Sequence, residues 1–230
     1  MIDVSKISHI FFDLDHTLWD FDKNSALAFE RVFDRYNISI SISEFLKIYE
    51  PINFDYWKLY REEKVNKLNL RRGRLKDSFK PFGLHFSENQ LDVLADLYIE
   101  ELPKDNHLFP NTNVLLLYLS KKYILHIITN GFKEVQHKKI YNSGIHNYFS
   151  SIITSEDAGV KKPNPLIFNM ALQMNSINAN QAIMIGDSFE ADILGAEAVG
   201  MQTIFFNYRK EITSSQNLQV SKLLDIKKYL

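Results

Sequence analysis

The stretch Ile7-Ser8-His9-Ile10-Phe11-Phe12-Asp13-Leu14-Asp15-His16-Thr17 decides how this chain is read. Its first half has the apolar density of a buried strand, and it stops at two carboxylates one residue apart. Residues two apart on a strand face the same side, so Asp13 and Asp15 converge on one site if the strand geometry persists past Phe12. Like charges this close repel and need a cation or a shared proton to hold them. One carboxylate of such a pair can attack as a nucleophile and form an acyl phosphate. The other can handle the proton of a leaving group and later that of water. Five such residues would equally suit a turn rich in Asp and Thr that caps a helix. The rest of the chain tips the balance.

Residues 7–12, 123–129, 182–185 and 203–206 are short runs dense in Ile, Val, Phe or Leu, and residues 149–154 form a fifth. None alternates cleanly, as expected of parallel strands covered on both faces. Between them, residues 112–121, 133–143, 165–174 and 190–199 read as helices. Regular alternation from about Pro110 onward predicts an α/β fold, a Rossmann-like open parallel sheet with right-handed crossovers. The segment before Pro110 differs. Residues 25–36, 43–61, 68–79 and 88–102 carry apolar residues at helical spacing, and Ser87 with Gln90 forms a capping-box pattern. We expect a helical cap domain over residues 20–102, inserted into a core made of residues 1–19 and 103–230. Residues 103–110, bracketed by prolines, are its return linker. The tail is polar from Glu211 to Val220 and ends in a short helix over residues 222–229.

Composition excludes several function classes. With 45% hydrophobic residues and 17 Phe among 230, the chain can bury an ordinary core. Lys and Arg number 27 against 28 Asp and Glu, so the net charge of −1 gives no attraction to a nucleic-acid polymer. The absence of Cys leaves carboxylates and His as metal ligands. The start, Met1-Ile2-Asp3-Val4-Ser5-Lys6, is unlike a signal peptide, and no apolar stretch is long enough to span a membrane. The expectation is a cytoplasmic protein without membrane association, monomer or homodimer.

Each strand-like run is followed by small polar groups: Asp13, Asp15 and Thr17; Thr129-Asn130-Gly131; Lys161-Lys162-Pro163 at the end of the loop over residues 155–162; and Gly186-Asp187-Ser188 with Asp192. Open α/β sheets bind ligands outside the carboxyl ends of their strands, so the groups point to one place. Asp13, Asp187 and Asp192 offer hard oxygen ligands for Mg2+. The Thr129 hydroxyl and backbone N–H groups near Asn130 and Gly131 suit phosphoryl oxygens. A lysine before Pro163, Lys161 or Lys162, would pair with Asp13 or the phosphate.

Phe12-Asp13-Leu14-Asp15-His16-Thr17-Leu18, Ile128-Thr129-Asn130-Gly131, Lys162-Pro163 with Ile167-Phe168, and Ile185-Gly186-Asp187-Ser188 with Asp192 resemble the four ordered motifs of the haloacid dehalogenase (HAD) superfamily. The resemblance covers nearly the whole chain and implies a HAD-like core with a C1-type cap. It implies Asp13 as nucleophile, Asp15 as general acid/base, and Asp13, the Asp15 carbonyl and Asp187 on Mg2+, with Asp192 in support. Thr129 and Lys162 would bind phosphate, Lys162 matching the pattern better than Lys161.

Haloacid dehalogenases usually lack a second carboxylate, so Asp15 points to a phosphatase acting on a small phosphorylated metabolite. A phosphomutase of the β-phosphoglucomutase type and a non-catalytic regulatory protein are the alternatives in other classes. Leu18-Trp19-Asp20-Phe21-Asp22, Tyr56-Trp57, Arg72-Gly73-Arg74 and Gly131-Phe132 with Gln136 look like the pyrimidine 5′-nucleotidase branch. That resemblance implies nucleoside 5′-monophosphate substrates, with a sugar phosphate or phosphoglycolate as the other possibility. A base needs a flat apolar surface and donors for its edge. Trp19, Phe21, Tyr56 and Trp57 are candidates for the first, and Arg61, Arg72 and Arg74 for the second. His16 stands where some nucleotidases carry an acidic residue, and its orientation is expected toward the cap.

Overall fold

The computed structural model describes residues 3–212 and 217–230. The chain divides into two compact units, Met1–Phe21 with Asn106–Leu230, and Asp22–Asp105.

The first unit is an α/β layer structure around a parallel sheet. Strands β1 (His9–Phe12), β2 (Ile124–Thr129), β3 (Phe149–Thr154), β4 (Ala182–Gly186), β5 (Gln202–Phe206) and β6 (Gln219–Val220) lie in the order β3-β2-β1-β4-β5-β6. All five pairings are parallel. Every residue of β1 and β4 is buried, which is why β4 and all of β1 after His9 read as apolar runs. Phe11, Ile128, Ile153, Phe168 and Met184 form one continuous core with them.

The order of the strands locates the site. From β1 the sheet grows through β2 to β3, and the chain then returns to the other side of β1 to lay down β4. That reversal is a topological switch point, where open α/β sheets hold their ligands. Phe12 is in register with Ile185, and the Asp13 N–H extends the ladder to the Ile185 carbonyl at 2.9 Å. Asp13 and the Gly186-Asp187 segment therefore leave the sheet side by side.

Four local expectations need correction. A regular helix over 190–199 is replaced by a widened π-type turn, Phe189–Leu194, running into Gly195–Glu197. The Ser188 carbonyl accepts from both Asp192 N–H (2.9 Å) and Ile193 N–H (3.3 Å), while the Ser188 N–H donates back to Asp192 Oδ2 at 3.0 Å. The extra residue in that turn brings Asp192 back toward the strand end, as such bulges do at functional sites. The expected loop over 155–162 opens with a short helix, Ser155–Ala158, because Thr154 and Asp157 cap each other. The terminal helix is a tighter 3-10 turn, Leu223–Lys228, and β6 adds a sixth strand where a polar tail was expected. Residues 213–216 of that tail lie outside the described residues.

The second unit is helical. Helices α1 (Phe21–Tyr36), α2 (Ile42–Arg61), α3 (Lys67–Phe79) and α4 (Glu88–Glu101) enclose an aromatic core. Phe29 sits 4.3 Å from the Tyr98 ring, 4.6 Å from Tyr49 and 4.9 Å from Phe45, centroid to centroid. Burying one such ring contributes about 2 kcal/mol before packing is counted. Ser87 starts α4, accepting from Gln90 N–H while its own N–H donates to Gln90 Oε1 at 2.9 Å. No helix of the described residues is long and apolar enough to cross a membrane.

Candidate active site

Asp13 ends β1 almost buried, at 8% exposure, and a buried carboxylate needs a partner. Lys162, itself 2% exposed, supplies it. Its ammonium donates to Asp13 Oδ1 and to the Ile128 carbonyl, both at 2.7 Å, and pairs with Asp192 Oδ1 at 2.7 Å. Lys162 is therefore the lysine that the structure places on Asp13. Burial pushes the Asp13 carboxyl up to about 7, against the pull of Lys162 and with the help of Asp192 and Asp15. Burial alone would lower Lys162, but Asp13 and Asp192 outweigh it and hold the ammonium charged.

Oxygen atoms of Asp13, Asp187 and Asp192 all lie within 4.8 Å of one another. Burial first, then Asp13 and Asp192, raise the Asp187 carboxyl well above its ordinary value. Thr17 offers limited relief, donating to Asp187 Oδ1 at 3.2 Å. Gly186 makes the approach possible, since a Cβ there would fall 2.2 Å from Asp192 Oδ2. With all three carboxyls ionised, as a bound cation would require, one ammonium leaves two negative charges to offset, and all the donors are hard oxygens. That set fits one divalent cation of the Mg2+ kind.

On the other side of β1, Thr129 ends β2. Its hydroxyl oxygen accepts from Gly131 N–H (3.1 Å) and from Gln136 Nε2 (2.7 Å). With those lone pairs occupied, the hydroxyl hydrogen is left to donate outward. The expectation for Gly131 needs correction, because its N–H is turned inward onto Thr129. Asn130 serves the lysine instead. Its amide donates to the Lys162 carbonyl and accepts from the Lys162 N–H, at 2.9 and 2.8 Å, locking the Lys162 backbone in place.

Asp15 sits beyond Asp13 in a tight turn where Leu18 and Trp19 N–H both donate to the Leu14 carbonyl. Its carboxylate is gripped by two residues of α5 (Lys133–Asn142): Lys139 Nζ reaches Oδ1 at 2.6 Å and Gln136 Nε2 reaches Oδ2 at 2.9 Å. Sequence reasoning assigned no role to Lys139. Spacing was the available signal, since residues three apart share a helix face.

His16 occupies the left-handed region (φ 61°) and lies 3.1 Å from both the Tyr208 hydroxyl and an Arg209 guanidinium nitrogen. Trp19, a candidate substrate surface, is instead fully buried against Phe21 and beneath the Lys139 ammonium, which stands 4.3 Å from its ring centroid. Within the helical unit, Arg72 is engaged by Asp92 and Glu88 on α4, so its fork is already filled. Trp57 is half-buried against Tyr60, and the Tyr56 hydroxyl donates to Asp77 at 2.8 Å. Arg74 differs from all of these. It is 2% exposed, donates to Asn53 Oδ1 at 2.9 Å, lies over the Tyr98 and Tyr49 rings, and leaves Nε without a partner.

Comparison with known proteins gives the family and the fold. A family described as haloacid dehalogenase-like hydrolase matches residues 10–206. The pyrimidine 5′-nucleotidase YjjG of Escherichia coli is 30% identical over 199 residues, covering 86% of this chain and 85% of the relative. A glyceraldehyde 3-phosphate phosphatase of Pyrococcus furiosus is 33% identical over 221 residues, covering 89% and 82%. Among solved structures, YfnB of Bacillus subtilis bound to magnesium superposes with a TM-score of 0.89 at 27% identity, covering 98% of this chain and 99% of that one.

Proposed function

Because this chain belongs to the haloacid dehalogenase-like hydrolase family, we propose that it is a Mg2+-dependent phosphomonoesterase acting through a phosphoryl group on Asp13. The observation that carries this reading is the buried Asp13–Lys162 pair inside the triad Asp13, Asp187 and Asp192. Those three side chains would hold the ion, Asp192 in a supporting place, with the Asp15 carbonyl completing the set. The bound cation would supply positive charge opposite the phosphoryl oxygens.

In the first step Asp13 forms a bond to phosphorus while the bond from phosphorus to the leaving oxygen breaks, and Asp15 gives its proton to that oxygen. In the second, Asp15 takes a proton from water as the water oxygen bonds to phosphorus. The bond to Asp13 breaks, inorganic phosphate leaves, and both carboxyl groups return to their starting states. The outward Thr129 hydroxyl and the Lys162 ammonium bind phosphoryl oxygens. Lys162 also favours the ionised form of Asp13, opposing the rise that burial imposes.

For the substrate we propose nucleoside 5′-monophosphates of pyrimidines, acted on in the cytoplasm, with the helical unit as the cap. Two features support this: the YjjG relative, and the Nε of Arg74, a buried donor without a partner that we assign to the carbonyl edge of a base. A sugar phosphate is the second reading, favoured by the equally similar Pyrococcus phosphatase. A panel of pyrimidine and purine monophosphates, glyceraldehyde 3-phosphate and other phosphorylated metabolites, assayed with Mg2+ and with chelator, separates them. Turnover of uridine or thymidine monophosphate that chelator abolishes is the expected result. Turnover of sugar phosphates with none of nucleotides would move the assignment to the second reading.

A further inference from the structure

We infer that Lys139 and Gln136 are positioning residues for the second carboxylate, holding Asp15 by one oxygen each and tying it to Thr129. The inference rests on the phosphatase reading and adds to it the device that keeps the proton-handling group in place.

Asp15 needs such a device. Its side chain is 21% exposed, on a turn, where a carboxylate would ordinarily sample several rotamers. Proton transfer to a leaving oxygen demands a fixed distance and direction, and a displacement of about 1 Å can cost roughly a hundredfold in rate. Lys139 and Gln136 are, by contrast, 2% and 0% exposed. The Lys139 ammonium is boxed by the Trp19 and Phe21 rings, 4.3 and 5.3 Å from their centroids, so its stem cannot swing away. A buried ammonium in that position draws a carboxylate to itself.

Gln136 adds direction. Its two amide N–H groups go to Asp15 Oδ2 and Thr129 Oγ1, at 2.9 and 2.7 Å. A flipped amide would set Oε1 against the Asp15 carboxylate, acceptor on acceptor, so only one orientation satisfies the contact. Its Oε1 stays buried without a partner, a cost the fold tolerates to keep Nε2 where it is. Gly131 leaves the room, since a Cβ there would lie 2.3 Å from Gln136 Cδ. Asp15, in the turn after β1, and Thr129, at the end of β2, are thereby fixed to each other through a single side chain. The group that handles protons and the hydroxyl assigned to the phosphoryl oxygens move together.

A merely structural ion pair would look similar in a stability assay, so the test reads leaving-group dependence. Lys139→Met and Gln136→Leu are assayed with p-nitrophenyl phosphate, whose phenolate leaves unaided, and with benzyl phosphate, whose alkoxide needs a proton. Both substrates are small aromatic monoesters, so cap recognition is held constant. The inference predicts kcat on benzyl phosphate at least about tenfold more impaired than on p-nitrophenyl phosphate. The selective loss should appear in kcat more than in KM. If Lys139→Met fails to fold, the near-isosteric Gln136→Leu decides alone. Equal losses on both esters, or no loss on benzyl phosphate, would overturn the inference while leaving the phosphatase reading intact. A wild-type protein that cleaves neither ester would refute that reading and this inference together.

Discussion

Lys162 and Arg74 are equally buried cations in two different units, and their surroundings are opposite. Lys162 has two carboxylates and a carbonyl on its ammonium. Arg74 has one amide oxygen and two tyrosine faces, with no carboxylate among the described residues. Buried charge in the α/β unit is organised around an excess of acid, which a metal ion and a phosphoryl group can use. Buried charge in the helical unit is a lone guanidinium in an aromatic core, partly offset by cation–π attraction of about 1–2 kcal/mol. Removing Lys162 strands acids, whereas removing Arg74 strands little.

The comparison can be broken first at its acidic end. Asp13→Asn should lower turnover by about a thousandfold or more, read by phosphate release, without unfolding the protein. It should also change the pH profile of stability. The folded-state value near 7 lies above the ordinary 3.8, so between those limits the folded protein binds a proton that the unfolded chain has lost. That contribution is fully present below the lower value and disappears as pH rises through the upper one. Metal-free wild type should therefore lose melting temperature across that window relative to Asp13→Asn, and Mg2+ should stabilise wild type more at about pH 8 than at about pH 5.

Lys162→Met comes next. It leaves Asp13 and Asp192 buried without their cation and should cost about 3–5 kcal/mol in chemical denaturation, together with most of the activity. Arg74→Met sharpens the contrast from the other side. It should change stability by no more than about 1 kcal/mol, in either direction, while lowering kcat/KM for uridine monophosphate about tenfold and leaving p-nitrophenyl phosphate nearly unchanged. A large stability loss would make Arg74 a structural residue after all. The smallest effect is expected of Arg72→Ala, whose partners Asp92 and Glu88 lie toward solvent: about 1 kcal/mol or less, with no change in turnover.

These contrasts also mark what the sequence could disclose. The sheet was legible because strands covered on both faces are largely apolar, as residues 10–12 and 182–186 are. Strand β6 was not, because two residues, Gln219 and Val220, carry no periodicity. The turn at 189–194 escaped because its extra residue comes from backbone bonding to the Ser188 carbonyl, which no composition encodes. Asp13, Asp187 and Asp192 could be marked as polar groups after strands, and the structure brings their oxygens together. Lys139 offered only its spacing from Gln136, since Lys138-Lys139 reads as solvated surface until the fold buries the second of the pair beneath Trp19. Arg72 and Arg74 look interchangeable in Arg-Arg-Gly-Arg. Two residues along a helix is roughly half a turn, and that rotation sends one to the α4 carboxylates and the other into the aromatic core.

The most direct test of the account is to trap the covalent phosphoryl group. Wild-type protein turning over p-nitrophenyl phosphate with Mg2+ is quenched with borohydride, which reduces an acyl phosphate at aspartate to the corresponding alcohol, and the peptides are sequenced by mass spectrometry. The account predicts that residue 13 is reduced, in a substrate-dependent manner, and that Asp15, Asp187 and Asp192 are untouched. Steady turnover with no reduction at residue 13, or with reduction at another carboxylate, would contradict it.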